Sequence, residues 1–290
     1  MDVKRRAGDR RDGTLLRNID SMHKLTPYLY PNRADNEAYL SERIDITNIM
    51  AYLERKNAGI TEYPYNLFQV ILTALMKTMV LRPQMNRFIQ GKRIYQRNEL
   101  TAAFVVKKQF KDDAGEALAF LRFDGESTID SAHNAIVEEI TACRSDTPDN
   151  STASMDLVCR MPRFLLTFAM WLFRRLDYNG KVPYSLIKTD PYYASVMISN
   201  LGSIKLKSGY HHLTNWGTNS IFCIIGEKKL SPFFDENGTV IMRETVDLGL
   251  TVDERIADGY YYSKTMRLFK HLLEHPELLE APAKEMVNFE

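Results

Sequence analysis

The chain reads as an α/β fold, a mixed β-sheet with packed helices, in one domain. Segments of strand and helix periodicity are interleaved without the strict βα alternation of a doubly wound sheet. Short paired extended runs imply antiparallel hairpins within that sheet. The 290 residues, 44% hydrophobic and 26% charged, are enough to bury a sizeable core.

The elements follow in order. Residues 1–13 (MDVKRRAGDRRDG) are charged with no apolar stretch behind them, so they are expected to be a basic, disordered tail and not a secretory signal, leaving 14–290 as the domain. Ile44–Lys56 reads as a short strand, an Asp or Thr cap and a helix. Pro64 stands where proline opens a helix, and Phe68, Leu72, Leu75 and Met79 follow at helical spacing. That helix is apolar on most faces and should be packed on two sides. Asn86–Arg97 reads as a hairpin around Gly91, and Leu100–Val106 and Glu116–Phe123 as strands joined by a polar turn. Ile129, Ala132, Ile136, Ile140 and Cys143 mark a helix, and Arg144–Ser154 an exposed loop. Met155–Leu176 is helical, broken by Pro162. Ala194–Gly202, Ser220–Gly226 and Thr239–Val252 are extended, and Tyr262, Met266, Phe269 and Leu273 place a helix after Gly259.

Charge and cysteine usage exclude several classes of function. The 38 Lys and Arg against 37 Asp and Glu, a net of +1, argue against a nucleic-acid groove. Cys143, Cys159 and Cys223 form no CxxC pair, which predicts neither a disulfide framework nor a zinc site and fits a reducing, cytoplasmic setting. No bound metal is expected. GxGxxG, P-loop, HExxH, GxSxG and EF-hand patterns are absent. The longest apolar run, Phe164–Phe173, is about half of what a spanning helix needs. Arg160 and Arg163 precede it and Arg174 and Arg175 follow it. Three readings stay open: a buried or capping helix, an interfacial helix giving 161–175 a membrane-surface contact, and a lid over an apolar pocket.

The C-terminal stretch Leu248–Leu279 contains Asp253-Glu254-Arg255-Ile256-Ala257-Asp258-Gly259. It resembles the D-H-R-x-x-D-G segment and following helix of the 2-oxoacid dehydrogenase acyltransferase catalytic domain, whose fold is shared with chloramphenicol acetyltransferase. Val196–Ile204 looks like that family's I-S-x-L-G strand, and Ser220–Lys229 like the strand after it. Met85–Val106 looks like its hairpin and strand, and Ile44–Lys56 with Tyr63–Phe68 is similar to the chloramphenicol acetyltransferase branch. About 145–190 departs from both branches as an insertion. The resemblance implies a chloramphenicol-acetyltransferase-like two-layer sandwich. It further implies coenzyme A or acyl-CoA as substrate and a homotrimer with interfacial active sites.

The family's general base is a histidine, suited by a pKa near neutrality, and Glu254 stands in its place. Glu254 is either a base tuned by burial or a surface residue. Asp258 matches the family's site-ordering Asp, and is equally a helix cap. Ser199 matches the hydroxyl that holds the oxyanion. His211 and His212 lie where the family lines its pocket; either can supply the proton acceptor from another part of the site, or both are turn residues. Lacking a lipoyl domain and a swinging linker, the chain is expected to be a stand-alone CoA-dependent acyltransferase with a thiol, hydroxyl or amine acceptor. The alternative is an inactive pseudoenzyme of the same fold that binds acyl-CoA, a small ligand or a partner protein.

Overall fold

The computed structural model describes residues 5–107, 116–144, 160–188 and 190–289. Nine strands and seven α-helices are found among them. The larger sheet has six strands in the order β2 (Glu37–Asp45), β9 (Val240–Asp253), β8 (Ile221–Phe234), β7 (Val196–Asn200), β5 (Leu100–Lys107) and β6 (Glu116–Phe123). The β7–β8 and β5–β7 pairs are parallel and the others antiparallel, so the sheet is mixed as the interleaved pattern predicts. A smaller antiparallel sheet joins β1 (Gly13–Leu15), β4 (Arg93–Arg97) and β3 (Arg87–Gln90), of which β3 and β4 are the hairpin around Gly91.

One face of the large sheet is buried under helices α2 (Thr47–Lys56), α3 (Leu67–Leu81), α4 (Ile129–Arg144) and α7 (Gly259–Glu274). Strand residues of one parity, Ile198, Cys223, Ile225, Leu248 and Leu250, enter that core. The opposite parity, Met197, Phe222 and Ile224, lies under Leu213 of the 205–219 loop. α3 is buried from Gln69 to Met79, the two-sided packing its composition implies. Even Lys77 is 1% exposed, its Nζ donating to the carbonyls of Leu278, Ala281 and Pro282 at 2.7–3.2 Å.

Two expectations are corrected. α3 starts at Leu67, not at Pro64, because Asn66 and Gln69 close a reciprocal capping box at 3.1 Å in each direction. Residues 5–13 are not a mobile tail. Arg10 is 3% exposed, donates to Asp12 and Asp177 at 2.8 Å, and leads into β1. Density of charge reads as solvated in a sequence, but here the charges pair with one another inside the fold. Elements not anticipated are β1 and α1 (Ser21–Leu29), capped by Asp20.

Within 145–190, residues 145–159 and 189 lie outside the described residues, including Cys159 and the loop expected at 144–154. Past Pro162 the apolar run forms α5 (Arg163–Tyr178), and α6 (Tyr184–Ile187) follows. None of the described helices is long and apolar enough to cross a membrane.

Candidate functional site

The D-E-R-I-A-D-G segment begins where β9 ends. Asp253 is fully buried, and its carboxylate accepts two hydrogen bonds from Arg255, Nε to Oδ1 at 2.8 Å and Nη2 to Oδ2 at 2.7 Å. A second guanidinium, that of Arg33, lies with Nε 3.7 Å from Oδ2. The remaining donors tie distant chain together: Arg33 to the carbonyls of Thr214 and Ile89 at 2.6 and 3.0 Å, and Arg255 to that of Tyr30 at 2.7 Å. Burial lowers the Arg33 pKa, with Asp253 working in the other direction. Tyr262 adds its hydroxyl to the Asp253 carbonyl at 2.9 Å, and burial followed by the Asp253 charge holds that phenol protonated.

This buried knot fixes the backbone of the next residue. The Glu254 N–H donates to the Asn36 carbonyl at 2.9 Å, and the side chain is exposed on a short 3-10 turn. Asp258 caps α7, its Oδ1 accepting the Tyr261 N–H at 2.8 Å, and is exposed as well. The buried carboxylate–guanidinium pairing of this segment is made by Asp253.

Ser199 is near the far end of the same sheet. With Asn200 and the 201–204 turn it forms one wall of a cavity of about 1120 Å³. Met50 and Leu53 of α2, Tyr65, Phe68, Phe104, Ile140 and Ile225 make the rest largely apolar, and Glu54, Asn57 and Lys228 add polar groups. A register shift between Ile225 and Lys228 leaves Gly226 and Glu227 as a bulge, and the Glu227 N–H donates to the Leu206 carbonyl at 2.9 Å. The chain at Ser208 can lie against the bulge because residue 226 is glycine: a Cβ there would meet the Ser208 backbone.

His211 and His212 come from the loop on the outer face of the sheet. The His211 ring stacks on Phe222 with centroids 4.1 Å apart and on His212 at 4.6 Å. Phe222 pairs with Met197, two residues before Ser199 and of the same parity, so His211 and Ser199 share this face. His211 Nδ1 is 2.8 Å from the His212 carbonyl. Since the carbonyl only accepts, Nδ1 carries the hydrogen, leaving the Nε2 lone pair as proton acceptor. Among the described residues, no histidine lines the Ser199 cavity.

The register separates the two halves of the predicted site. Ser199 pairs with Ile224, and Ile224 with Gly249, whereas Glu254 follows Gly249 by five residues toward the opposite end. That is roughly 17 Å along the strands, and two strand spacings add roughly 10 Å across them. Within one copy of the chain, therefore, Ser199 and His211 lie on the outer face of the sheet, Ile198 and Ile225 of the cavity on the helix-covered face, and the cavity meets Ser199 where β7 ends at Asn200. Glu254 and Asp258 lie at the other end. Sequence reasoning missed Arg33, Asp253 and Arg255. The signal available for two of them was an Asp and an Arg flanking Glu254; Arg33 carried none.

The comparisons with known proteins agree with this architecture. Residues 186–281 match the family model of the 2-oxoacid dehydrogenases acyltransferase (catalytic domain). A probable dihydrolipoamide acetyltransferase from Listeria monocytogenes is similar over 98% of this chain and 100% of its own, at 15% identity and a TM-score of 0.58. The cubic core of the pyruvate dehydrogenase multienzyme complex is similar over 92% of this chain and 94% of its own, at 14% identity and a TM-score of 0.57. Chloramphenicol acetyltransferase follows with 91% and 98% covered, 13% identity and a TM-score of 0.53. No curated protein matches the chain. The fold is thus that of the acyltransferase catalytic cores and of chloramphenicol acetyltransferase, and the family's sequence signature is carried by 186–281.

Proposed function

We propose that this protein is a CoA-dependent acyltransferase acting on its own, at a site assembled between copies of the chain. The observation that carries the reading is the separation of Ser199 from Glu254 within one copy, on a fold and a sequence signature of acyltransferase type. A cyclic trimer repeats one contact between unlike surfaces, which can bring the Glu254 turn of one copy to the Ser199 end of the next. The pyruvate dehydrogenase core to which the chain is similar is a cubic core of a multienzyme complex, in keeping with a homo-oligomer here.

In this reading the apolar cavity takes the acyl-thioester limb of the CoA substrate. A thiol, hydroxyl or amine acceptor loses its proton to Glu254 or to Nε2 of His211 or His212 and attacks the thioester carbonyl. The tetrahedral oxyanion is held by the Ser199 hydroxyl. Collapse breaks the carbon–sulfur bond, the acyl group stays on the acceptor, and CoA leaves as the thiol after receiving the proton. Asp258 orders the turn by capping α7. The buried Cys223 thiol suits a cytoplasmic setting, and no resident metal or cofactor enters the scheme.

A second reading is favoured by one feature: the Glu254 side chain is exposed, and no histidine lines the cavity among the described residues. It is a pseudoenzyme that binds acyl-CoA without turnover. Thiol release from acetyl-CoA and longer acyl-CoAs, with thiol, alcohol and amine acceptors, separates the two. The acyltransferase reading expects release that falls at least about a hundredfold in Ser199→Ala. It also expects a comparable fall in one of Glu254→Gln, His211→Ala and His212→Ala. Release no faster than buffer, together with thermal stabilisation by CoA, supports the pseudoenzyme instead.

A further inference from the structure

The outward face of α5 carries Phe164, Leu165, Phe168, Trp171 and Leu172, which are 77%, 41%, 56%, 59% and 41% exposed. Their spacing puts them on one arc of the helix. The anchor is the arc that adjoins it, through Leu176 at its border and Phe173 behind it, which pack on Val182, Ile187 and Tyr193; Phe173 also stacks on Trp216 at 4.8 Å. The last turn is tied down by Arg10, whose guanidinium reaches the buried Asp177 at 2.8 Å. α5 is therefore fixed to the fold by one side and holds out an aromatic and aliphatic ridge about 12 Å long, from Phe164 to Leu172. Phe168 and Trp171 stack on one another along it, with centroids 5.8 Å apart. An apolar surface of this kind marks a place of contact.

Charge identifies what it contacts. Residues 160–176 hold four arginines and no Asp or Glu, within a chain whose net charge is +1. Arg160 and Arg163 are at one end and Arg174 and Arg175 at the other; in helical projection Arg163 and Arg174 fall within about 20° of each other on one flank, about 60–80° outside the apolar arc, and Arg175 continues the arc at its C-terminal end. A second copy presenting the same face across a two-fold axis would bring arginine against arginine. The surface is also a convex ridge and not a groove into which another helix could settle. Phenylalanine, leucine and tryptophan on one arc, with long guanidinium side chains at its two ends that can snorkel to the lipid phosphates, are what a helix needs to lie in the plane of a bilayer. At 16 residues α5 is too short to span one. We propose that α5 docks this protein onto an anionic lipid bilayer, its five apolar side chains entering the acyl boundary and its arginines engaging lipid phosphates. The proposal goes beyond acyl transfer and stands whether or not the protein turns over a thioester.

Vesicle flotation of the full chain tests it, using phosphatidylcholine vesicles with and without phosphatidylglycerol. Wild type is expected to float with the anionic vesicles and to be released as salt is raised. Arg174→Gln combined with Arg175→Gln should weaken that binding about fivefold per arginine. Phe168→Ser combined with Trp171→Ser should abolish it, while the melting temperature stays at the wild-type value because both side chains are exposed. A blue shift of tryptophan emission on anionic vesicles, lost in Trp171→Phe, would place the ridge in the acyl boundary. Equal flotation of wild type and the serine variant overturns the proposal. So does wild type ignoring vesicle charge, or a wild-type sedimenting mass that falls in the serine variant without lipid, which would assign the ridge to a contact between chains.

Discussion

Asp253 ends β9 and, with Arg255 and Arg33 around it, aims the backbone of Glu254. Two guanidiniums share one fully buried carboxylate, so removing it strands two positive charges in the interior. Asp253→Ala is predicted to lower unfolding free energy by about 3–5 kcal/mol in urea titration, the range for breaking a buried pair from one side. A loss below about 1 kcal/mol, the range of an exposed pair, would show that the knot is not what holds this turn. At this scale the sequence was partly legible. The motif singled out these seven residues and supplied both a cap and a site role for Asp258, and the structure shows the cap. The buried pairing is made by Asp253 because the 3-10 turn folds Arg255 back onto it and the turn after α1, Arg33–Asp35, brings Arg33 from the other end of the chain. A single sequence carries no signal for that second approach.

α3 and α4 meet through His133, which stacks on Tyr65 at 4.0 Å and lies with Nδ1 3.2 Å from Gln69 Oε1. Burial lowers its pKa below the ordinary 6.5, with Asp130 acting in the opposite direction. In the unfolded chain His133 therefore takes up a proton at a higher pH than in the folded one. The unfolded state gains as pH falls through 6.5 toward the lowered folded value, and the stability held above that window is lost. The urea midpoint is predicted to fall on acidification through this window, and less steeply in His133→Gln. Parallel profiles for the two proteins would remove His133 from the account.

Element existence was largely legible because apolar spacing is enforced by burial: α3, α4, α7, the β3–β4 hairpin and strands β5, β6, β7 and β9 are where periodicity puts them, whereas β2 begins at Glu37, before the expected Ile44, and β8 runs on past Gly226 to Phe234. What escaped depends on competition or distance. The capping box at Asn66 and Gln69 outcompeted Pro64 as a helix start, and the pairing of Arg10 with Asp177 joins segments far apart in the chain. α5 was legible as apolar, whereas its exposure was decided only when Phe173 and Leu176 took the inner arc.

At the scale of the whole molecule, one mixed sheet carries an apolar cavity with Ser199 at one end and the Asp253–Gly259 turn at the other. Family likeness made both ends visible in the sequence. Their separation was not, since it follows from β7 and β9 being non-adjacent strands running in opposite directions through the register. The β8–β9 hairpin also runs past the bulge with Leu230, Phe234, Val240 and Met242 exposed, 53–74% each, a surface fit for contact between copies. The central claim is that Ser199 of one copy works with Glu254 of another, and subunit mixing tests it most directly. Ser199→Ala and Glu254→Gln chains, each inactive by itself in acyl transfer, would be unfolded together and reassembled in equal amounts. If the site is shared, about a quarter of the sites in random cyclic assemblies regain both residues, and activity should rise to about a quarter of wild type. Activity no higher than that of the two separate variants would contradict the account.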